Sequence, residues 1–238
     1  MSERLLVRDV QVQKATYTDR TYQRAVGMGS VLSGRVKLRQ DVKITAELRL
    51  WSQVDRDNVI ADLIAWMKDG GKLEISARPD KYLAVVCTEY PQQEAKTGNY
   101  PQITFTLTAY ECPYFIDSEP TTVTIASKTS GGSSVQIPGN ADYAPVDVTV
   151  TPVGTLREIT LVTNTESIRL SGLTATTPVT ITHADGNIVI TCAGQSLMKN
   201  RTADSSDDLK IPCGRVSGVS FSANTTCTVT YSARGRWE

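Results

Sequence analysis

The sequence predicts a mainly β chain in two parts, in which the first part carries one α-helix and the second is an antiparallel β-sandwich. Three observations support this prediction. A period-2 pattern, typical of a strand with one buried face, occurs where Ile103, Phe105, Leu107 and Ala109 alternate with polar residues. Helical spacing of apolar residues is confined to residues 59–67. From Ala141 onward threonine is frequent and no helical period appears, which favours short strands.

The first part contains several predicted strands. The segment Thr16–Ser33 is rich in Arg, Tyr and Gly and is expected to form an irregular arm or an exposed hairpin, with Gly27 and Gly29 as turn glycines. The connection around Gly98 and Asn99 has the composition of a turn. The predicted strands are Leu5–Val12, Arg35–Trp51 (a long strand or a bent hairpin), Lys72–Ser76, Tyr82–Tyr90 and Ile103–Cys112.

One helix is predicted after Trp51. Ser52 and Asp55 have the spacing of a capping box, and Gly70-Gly71 is expected to end the helix. Trp66 lies beside the apolar stripe and is predicted to anchor it in the core. The stripe consists of Val59, Ile60, Leu63, Ile64 and Met67.

The clearest hairpin of the second part is VTITHADGNIVIT. Asp185-Gly186 is a two-residue turn signal. Closing the hairpin there places apolar residues on one face. The predicted pairs are His183 with Ile188, Ile181 with Ile190, and Val179 with Cys192. Such strands at short spacing, with turns between them, indicate a β-sandwich.

The domain boundary is predicted where alternation stops. Pro113 and Pro120 remove ladder donors, and the run Ser127–Ser134 has the composition of a loop. We therefore expect a first domain at 1–120, a linker at 121–140 and a second domain at 141–238.

Composition excludes several classes of protein. No apolar run reaches the roughly 18 residues of a membrane-spanning helix, and the start of the chain has no signal-peptide pattern. Residues 1–120 carry 16 basic and 16 acidic side chains, and residues 121–238 carry nine of each. Because neither part has a basic excess, we do not expect specific nucleic-acid binding. The five cysteines lack metal-site spacing and are expected to be reduced, mostly buried thiols.

No motif of catalysis or of cofactor binding was found, so we expect no enzyme, no cofactor and no catalytic, cofactor-binding or metal residues. His183 is expected to be a packed or rim residue because its own hairpin face offers no acidic or thiol partner. The cluster Asp204–Asp208 lacks the spaced ligands of a calcium loop and is predicted to be a solvated loop.

Four sequence phrases follow one another along the chain: WMKDGGKLEI at Trp66–Ile75, FTLTAYECPYF at Phe105–Phe115, NADYAPVDVTV at Asn140–Val150 and LKIPCGRVSGVSF at Leu209–Phe221. Together they resemble the distal tail protein (Dit) family of long-tailed siphophages and their prophages. The arm at Thr16–Ser33 matches weakly, and Cys213 separates a proline and a glycine that are often contiguous in the family.

The resemblance implies a structural component of the virion tail tip that is made in the host cytoplasm during assembly. Its first domains would form a hub ring, usually a hexamer, that joins the last tail tube ring to the tail-tip protein. The second domains, galectin-like or carbohydrate-module-like sandwiches, would point outward, toward a receptor-binding protein or a host glycan. DNA would pass through the ring without being bound.

A carbohydrate-binding protein is the alternative function, with the second domain recognising a host surface glycan. Sugar sites stack rings on exposed aromatic side chains. Phe221 and Tyr231 alternate with core residues, which leaves Tyr143 and Trp237 and favours the hub. Trp237, near the C-terminus, either docks onto its domain or stands exposed as a stacking platform. Docking is the expectation, because burying an indole stabilises a fold by a few kcal/mol.

Overall fold

A computed structural model describes residues 5–23, 30–50, 52–94, 101–110, 112–164, 166–184 and 187–238. The described chain is mainly β, with two curled antiparallel sheets and one α-helix. This confirms the predicted fold class. The chain divides into two compact units, Met1–Tyr114 and Phe115–Glu238. The predicted turns at Gly27, Gly29, Gly98-Asn99 and Asp185-Gly186, and residue Trp51, lie outside the described residues.

The first unit is a sheet in the order β1-β3-β6-β5, with β2 beside β3 and β4 beside β5. Helix α1 spans Gln53–Met67 and lies between β3 and β4 in the sequence. The strands are β1 (Leu5–Val12), β2 (Thr16–Gln23), β3 (Ser30–Leu48), β4 (Gly71–Ile75), β5 (Arg78–Glu94) and β6 (Gln102–Ala109).

The alternating apolar residues of β3 and β6 form the core of the first unit. The apolar residues of β6 and those of β3 from Val42 to Leu48 are buried, and most of them lie opposite one another in the antiparallel register. Each buried Val, Leu, Ile or Phe side chain among them contributes roughly 1.5–3 kcal/mol. The period-2 prediction for these strands is therefore confirmed. The central pairs are Val42–Leu107, Ile44–Phe105 and Ala46–Ile103.

Helix α1 buries Val59, Leu63 and Met67, as its apolar stripe predicts. Two expectations about the helix are wrong. Ser52 makes no side-chain cap hydrogen bond. Trp66 is 67% exposed. Because successive helical residues are rotated by about 100°, Trp66 lies on the flank of the stripe rather than over the sheet.

The second unit is built from a curled sheet in the order β11-β10-β16-β9-β12-β13-β14, with β8 beside β16 and β15 beside β9, and from the ribbon β7–β17. The longer strands are β8 (Thr121–Gln136), β9 (Tyr143–Pro152), β10 (Ile159–Thr163), β11 (Glu166–Leu170), β12 (Val179–Ala184), β13 (Asn187–Cys192) and β16 (Val216–Ala233). The short elements are β7 (Phe115–Asp117), β14 (Gln195–Ser196), β15 (Lys210–Pro212), β17 (Arg236–Trp237) and a 3-10 turn at Met198–Asn200.

Strand β16 lies between β10 and β9 and connects the two parts of the curled sheet. Its first half pairs with β10 and its second half pairs with β9, with register shifts between Ser222 and Val229. The Tyr231 hydroxyl of the second half donates to the Ser220 carbonyl of the first half at 2.5 Å. The curled sheet thus encloses its own core. The buried residues of β9 to β13 include Val148, Val150, Leu161, Ile168, Ile181 and Ile190.

The predicted hairpin is present with the predicted register: His183 lies opposite Ile188, Ile181 opposite Ile190, and Val179 opposite Cys192.

The structure differs from the expected linker at 121–140. Strand β8 covers most of this segment and pairs with β16 from Thr121 to Gln136. Most side chains of β8 are small and exposed, so apolar and polar residues alternate little along it. The strand pairs with β16 at an edge of the sheet through its backbone. The division between the units falls at Tyr114, before the expected domain end at 120.

Candidate functional site

Strand β1 presents an apolar row at the edge of the first sheet. Val7, Val10 and Val12 are exposed, although they lie opposite Ala46, Ile44 and Val42, which are buried. Paired residues of neighbouring strands share one face of a sheet. The core-facing apolar surface therefore continues onto β1, where its side chains stay accessible.

The predicted arm or hairpin at Thr16–Ser33 forms a hairpin of β2 with the first part of β3. Backbone pairing runs from Thr16 with Arg39 to Gln23 with Ser30. Within the described residues, pairing of β3 with β6 begins only at Gln40. The hairpin is therefore a two-stranded extension of the sheet, a form that suits contact with another protein chain.

An apolar cavity of about 260 Å³ opens beside the end of α1. The exposed Trp66 lies at this cavity. Gly70 adopts a φ of +70°, and a side chain there would meet the Val85 carbonyl at 2.7 Å. An exposed indole beside an apolar cavity is the kind of surface that receives a partner's side chain. The apolar side chains at the cavity are Trp66, Met67, Leu73, Val85, Cys87 and Leu107.

The aromatic residues considered for sugar stacking do not form a common platform. Phe221 and Tyr231 are buried. The ammonium group of Lys210 lies 5.3 Å from the centroid of the exposed Tyr143 ring. Trp237 is half-buried, and its Nε1–H donates to Asp117 Oδ1 at 2.8 Å. The expected docking of Trp237 is confirmed.

His183 lies at the rim of the second unit and is 14% exposed. Its ring contacts Asp147 of β9 and Asp208, which precedes β15. The expectation of a packed or rim histidine is met. Sequence reasoning missed both carboxylates, because they come from segments distant from the hairpin in sequence.

The acidic cluster Asp204–Asp208 forms a surface loop. Asp207 pairs with Arg201 at 3.0 Å, and a hydrogen bond from the Thr202 side chain lowers the pKa of Asp204. Among the described residues, no group of three or more His, Cys, Asp or Glu is placed to hold a metal ion. The five cysteines are free thiols, and burial raises the pKa of Cys213 and Cys227. None of the helices in the described ranges has the length and apolar character needed to cross a membrane.

Solved structures of phage tail proteins share the fold of nearly the whole chain. The Dit protein of phage SPP1, described as a paradigm of the hub adsorption apparatus in phages that infect Gram-positive bacteria, superimposes with a TM-score of 0.71 at 12% identity. The match covers 98% of this chain and 94% of SPP1 Dit.

Chains of the phage p2 baseplate in its activated conformation also match. The strontium form gives a TM-score of 0.57 at 9% identity, and the calcium form gives 0.54 at 8%. Each match covers 98% of this chain and 91% of the baseplate chain. No family profile and no curated protein sequence matches the chain. At this identity the likeness is one of fold, and the chain has the Dit-type fold that its sequence phrases predict.

Proposed function

We propose that the chain is a structural protein of a phage or prophage tail tip, where it forms a hub ring between the tail tube and the adsorption apparatus. The observation that carries this proposal is the likeness to SPP1 Dit over 98% of the chain. The phage p2 baseplate chains support the same role. On this proposal the protein is not an enzyme and needs no cofactor. It works in the virion tail tip after assembly in the host cytoplasm.

Further copies of the same chain are the first partners, in a ring that is a hexamer if it follows the family. The first unit supplies the ring contacts. Nine of the thirteen exposed large apolar side chains among the described residues lie in it, including the row on β1 and Trp66 at the cavity. Large exposed apolar surfaces on soluble domains mark interaction sites. A contact between different surfaces of neighbouring copies closes a ring when its rotation closes.

The remaining partners would be the tail tube protein on one side of the ring and the tail-tip protein on the other, with a receptor-binding protein at the outward units. The balanced charge of the chain suits a conduit through which DNA passes without being held. Recognition of a host glycan by the second unit is the alternative. Phe221 and Tyr231 are buried and Trp237 is docked, so Tyr143 is the one exposed ring among the four considered for stacking, and this weakens the alternative.

Light scattering coupled to size exclusion tests the hub proposal. We expect a closed oligomer of the 25.9 kDa chain. Val10→Asp should reduce it to smaller species, because a charge would be buried at the contact. Val153→Asp is the matched control, since Val153 is 78% exposed in the second unit. A wild type that stays monomeric at high concentration would overturn the ring, and binding of a defined sugar on a glycan array would favour the alternative.

A further inference from the structure

The one histidine of the chain bridges two carboxylates. His183 lies at the end of β12. Its Nδ1 is 3.0 Å from Asp147 Oδ1 and its Nε2 is 2.7 Å from Asp208 Oδ1. Asp147 belongs to β9, and Asp208 belongs to residues 202–209, which lead into β15. A single imidazole therefore connects the end of β12 to the segment before β15.

The two short contacts favour a charged ring. A neutral imidazole has one N–H donor and one lone pair, whereas an ionised carboxylate only accepts. A neutral His183 could hydrogen-bond to one of the two carboxylates and would turn a lone pair toward the other. The imidazolium donates to both, and hydrogen bonds between charged groups are the stronger kind.

Two charged residues close in sequence to Asp208 have partners outside the bridge. Lys210 lies 3.7 Å from Glu166 and over the Tyr143 ring, and Asp207 pairs with Arg201. On β13, His183 faces the apolar Ile188. Asp185 lies outside the described residues. Burial lowers the pKa of His183, but its hydrogen bonds to Asp147 and Asp208 and their charges outweigh this, so the pKa is raised above its ordinary value.

We propose that Asp147, His183 and Asp208 form a pH-dependent latch, which fastens residues 202–209 to the end of β12 while the ring is charged and releases Asp208 when it is neutral. Asp147 keeps the ring because its Oδ1 also accepts the His183 main-chain N–H at 3.2 Å. The rest of the segment has its own anchors, such as the Ser206 N–H on the Ser167 carbonyl at 2.7 Å. Release is therefore local to the residues around Asp208.

The direction of the pH effect follows from the raised pKa. The latch stabilises the folded chain fully below the unfolded histidine pKa of about 6.5, and this stabilisation is lost as the pH rises through the folded pKa. Each further pH unit depopulates the bridged state about tenfold. The released state also carries one positive charge fewer at this surface. The latch belongs to the second unit and does not depend on the proposed function.

Titration of the full chain labelled with ¹³C-histidine tests the latch, because a single histidine gives a single signal. We expect the His183 pKa to lie above 6.5 and to fall in Asp208→Asn. It should stay unchanged in Asp207→Asn, the control with the same loss of charge one residue away. Amide exchange at residues 202–209, corrected for its intrinsic pH dependence, should accelerate as the pH passes the His183 pKa, and this step should disappear in His183→Gln.

Three results would overturn the latch: a wild-type pKa at or below 6.5, equal pKa shifts in Asp207→Asn and Asp208→Asn, or exchange without a step at the His183 pKa. If Asp208→Asn does not fold, the wild-type titration and exchange profile decide, since neither needs a substitution.

Discussion

Trp237 attaches the C-terminal residues to the start of the second unit. It pairs with Phe115 across the β7–β17 ribbon, and its indole donates to Asp117. We expect Trp237→Ala to cost about 2 kcal/mol of unfolding free energy, from lost apolar burial and one hydrogen bond. Trp237→Phe should cost about 1 kcal/mol, since it removes the hydrogen bond but keeps an aromatic ring that retains most of the apolar burial. Thermal unfolding measures both, and the exposed Tyr143→Ala serves as the control, with a cost below about 1 kcal/mol.

The same variants separate docking from sugar binding. Glycan-array signals should stay at background for the wild type and for Trp237→Ala. If the wild type bound a defined glycan and Trp237→Ala abolished this binding at an unchanged melting temperature, the second unit would be a recognition module and the docking role would be wrong.

Gly139 allows the C-terminal backbone at Arg236 to pack closely against the chain. Its φ is +126°, and a Cβ atom would lie 2.2 Å from the Arg236 carbonyl oxygen. We expect Gly139→Ala to destabilise the chain by at least about 2 kcal/mol, because both its conformation and the contact are forbidden to a side chain. Gly218→Ala is the matched control in the same unit, since a Cβ there meets nothing within 4 Å. Equal effects of the two substitutions in urea unfolding would show that backbone approach at Gly139 does not matter.

Single residues were predictable where their neighbours in sequence decide their surroundings. The alternation around Ile181 fixed which side of the hairpin is buried, and the predicted docking of Trp237 followed from the cost of leaving an indole at a frayed end. The partners of His183 could not be predicted, because Asp147 and Asp208 meet it only through the fold. The prediction for Trp66 was wrong for a related reason. Trp66 lies at the flank of the apolar stripe, and whether a side chain there is exposed depends on how far the sheet covers the helix.

Strand β8 makes the segment Thr121–Gln136 part of the second unit. It pairs with β16 over nearly the whole length of both strands and buries Ile125 and Val135. We expect a fragment of residues 115–238 to unfold cooperatively, whereas residues 141–238 alone should aggregate or remain partly unfolded, because the latter exposes the edge of β16 and part of its core. Circular dichroism with urea titration compares the two. Equal stability of both fragments would restore 121–140 as a linker.

At the level of elements, side-chain patterns were sufficient where one face of a strand or helix is buried. They predicted β3, β6, α1 and the β12–β13 hairpin, whose observed register is the one expected for a two-residue Asp-Gly turn. They missed β8, because serine, threonine and glycine on an exposed edge strand leave no alternation. The N-cap at Ser52 also failed, since the motif spacing does not ensure that the side chain turns toward the helix.

For the whole molecule, the order of helices and strands says more about the fold than the identity of individual residues does. The chain shares 12% of its residues with SPP1 Dit and yet matches 98% of its own length to that fold. Many sequences can bury the same faces of the same strands, because cores need apolar residues of suitable volume rather than particular ones. Surface contacts with partners obey no such pattern, so composition does not indicate which residues would form the interface of the proposed ring.

The concentration of exposed apolar side chains in the first unit gives a prediction about assembly. We expect residues 1–114 alone to form the same oligomer as the full chain, and residues 115–238 to stay monomeric, because Val7, Val10, Val12 and Trp66 all belong to the first unit. Raising the salt concentration to about 1 M should not dissociate the oligomer, since contacts between apolar side chains are not screened as charge pairs are. Sedimentation velocity on both fragments, after a check of folding by circular dichroism, measures this. Oligomers formed by residues 115–238 with monomeric residues 1–114 would place the ring contacts in the second unit, and dissociation in salt would show that charged groups hold the copies together.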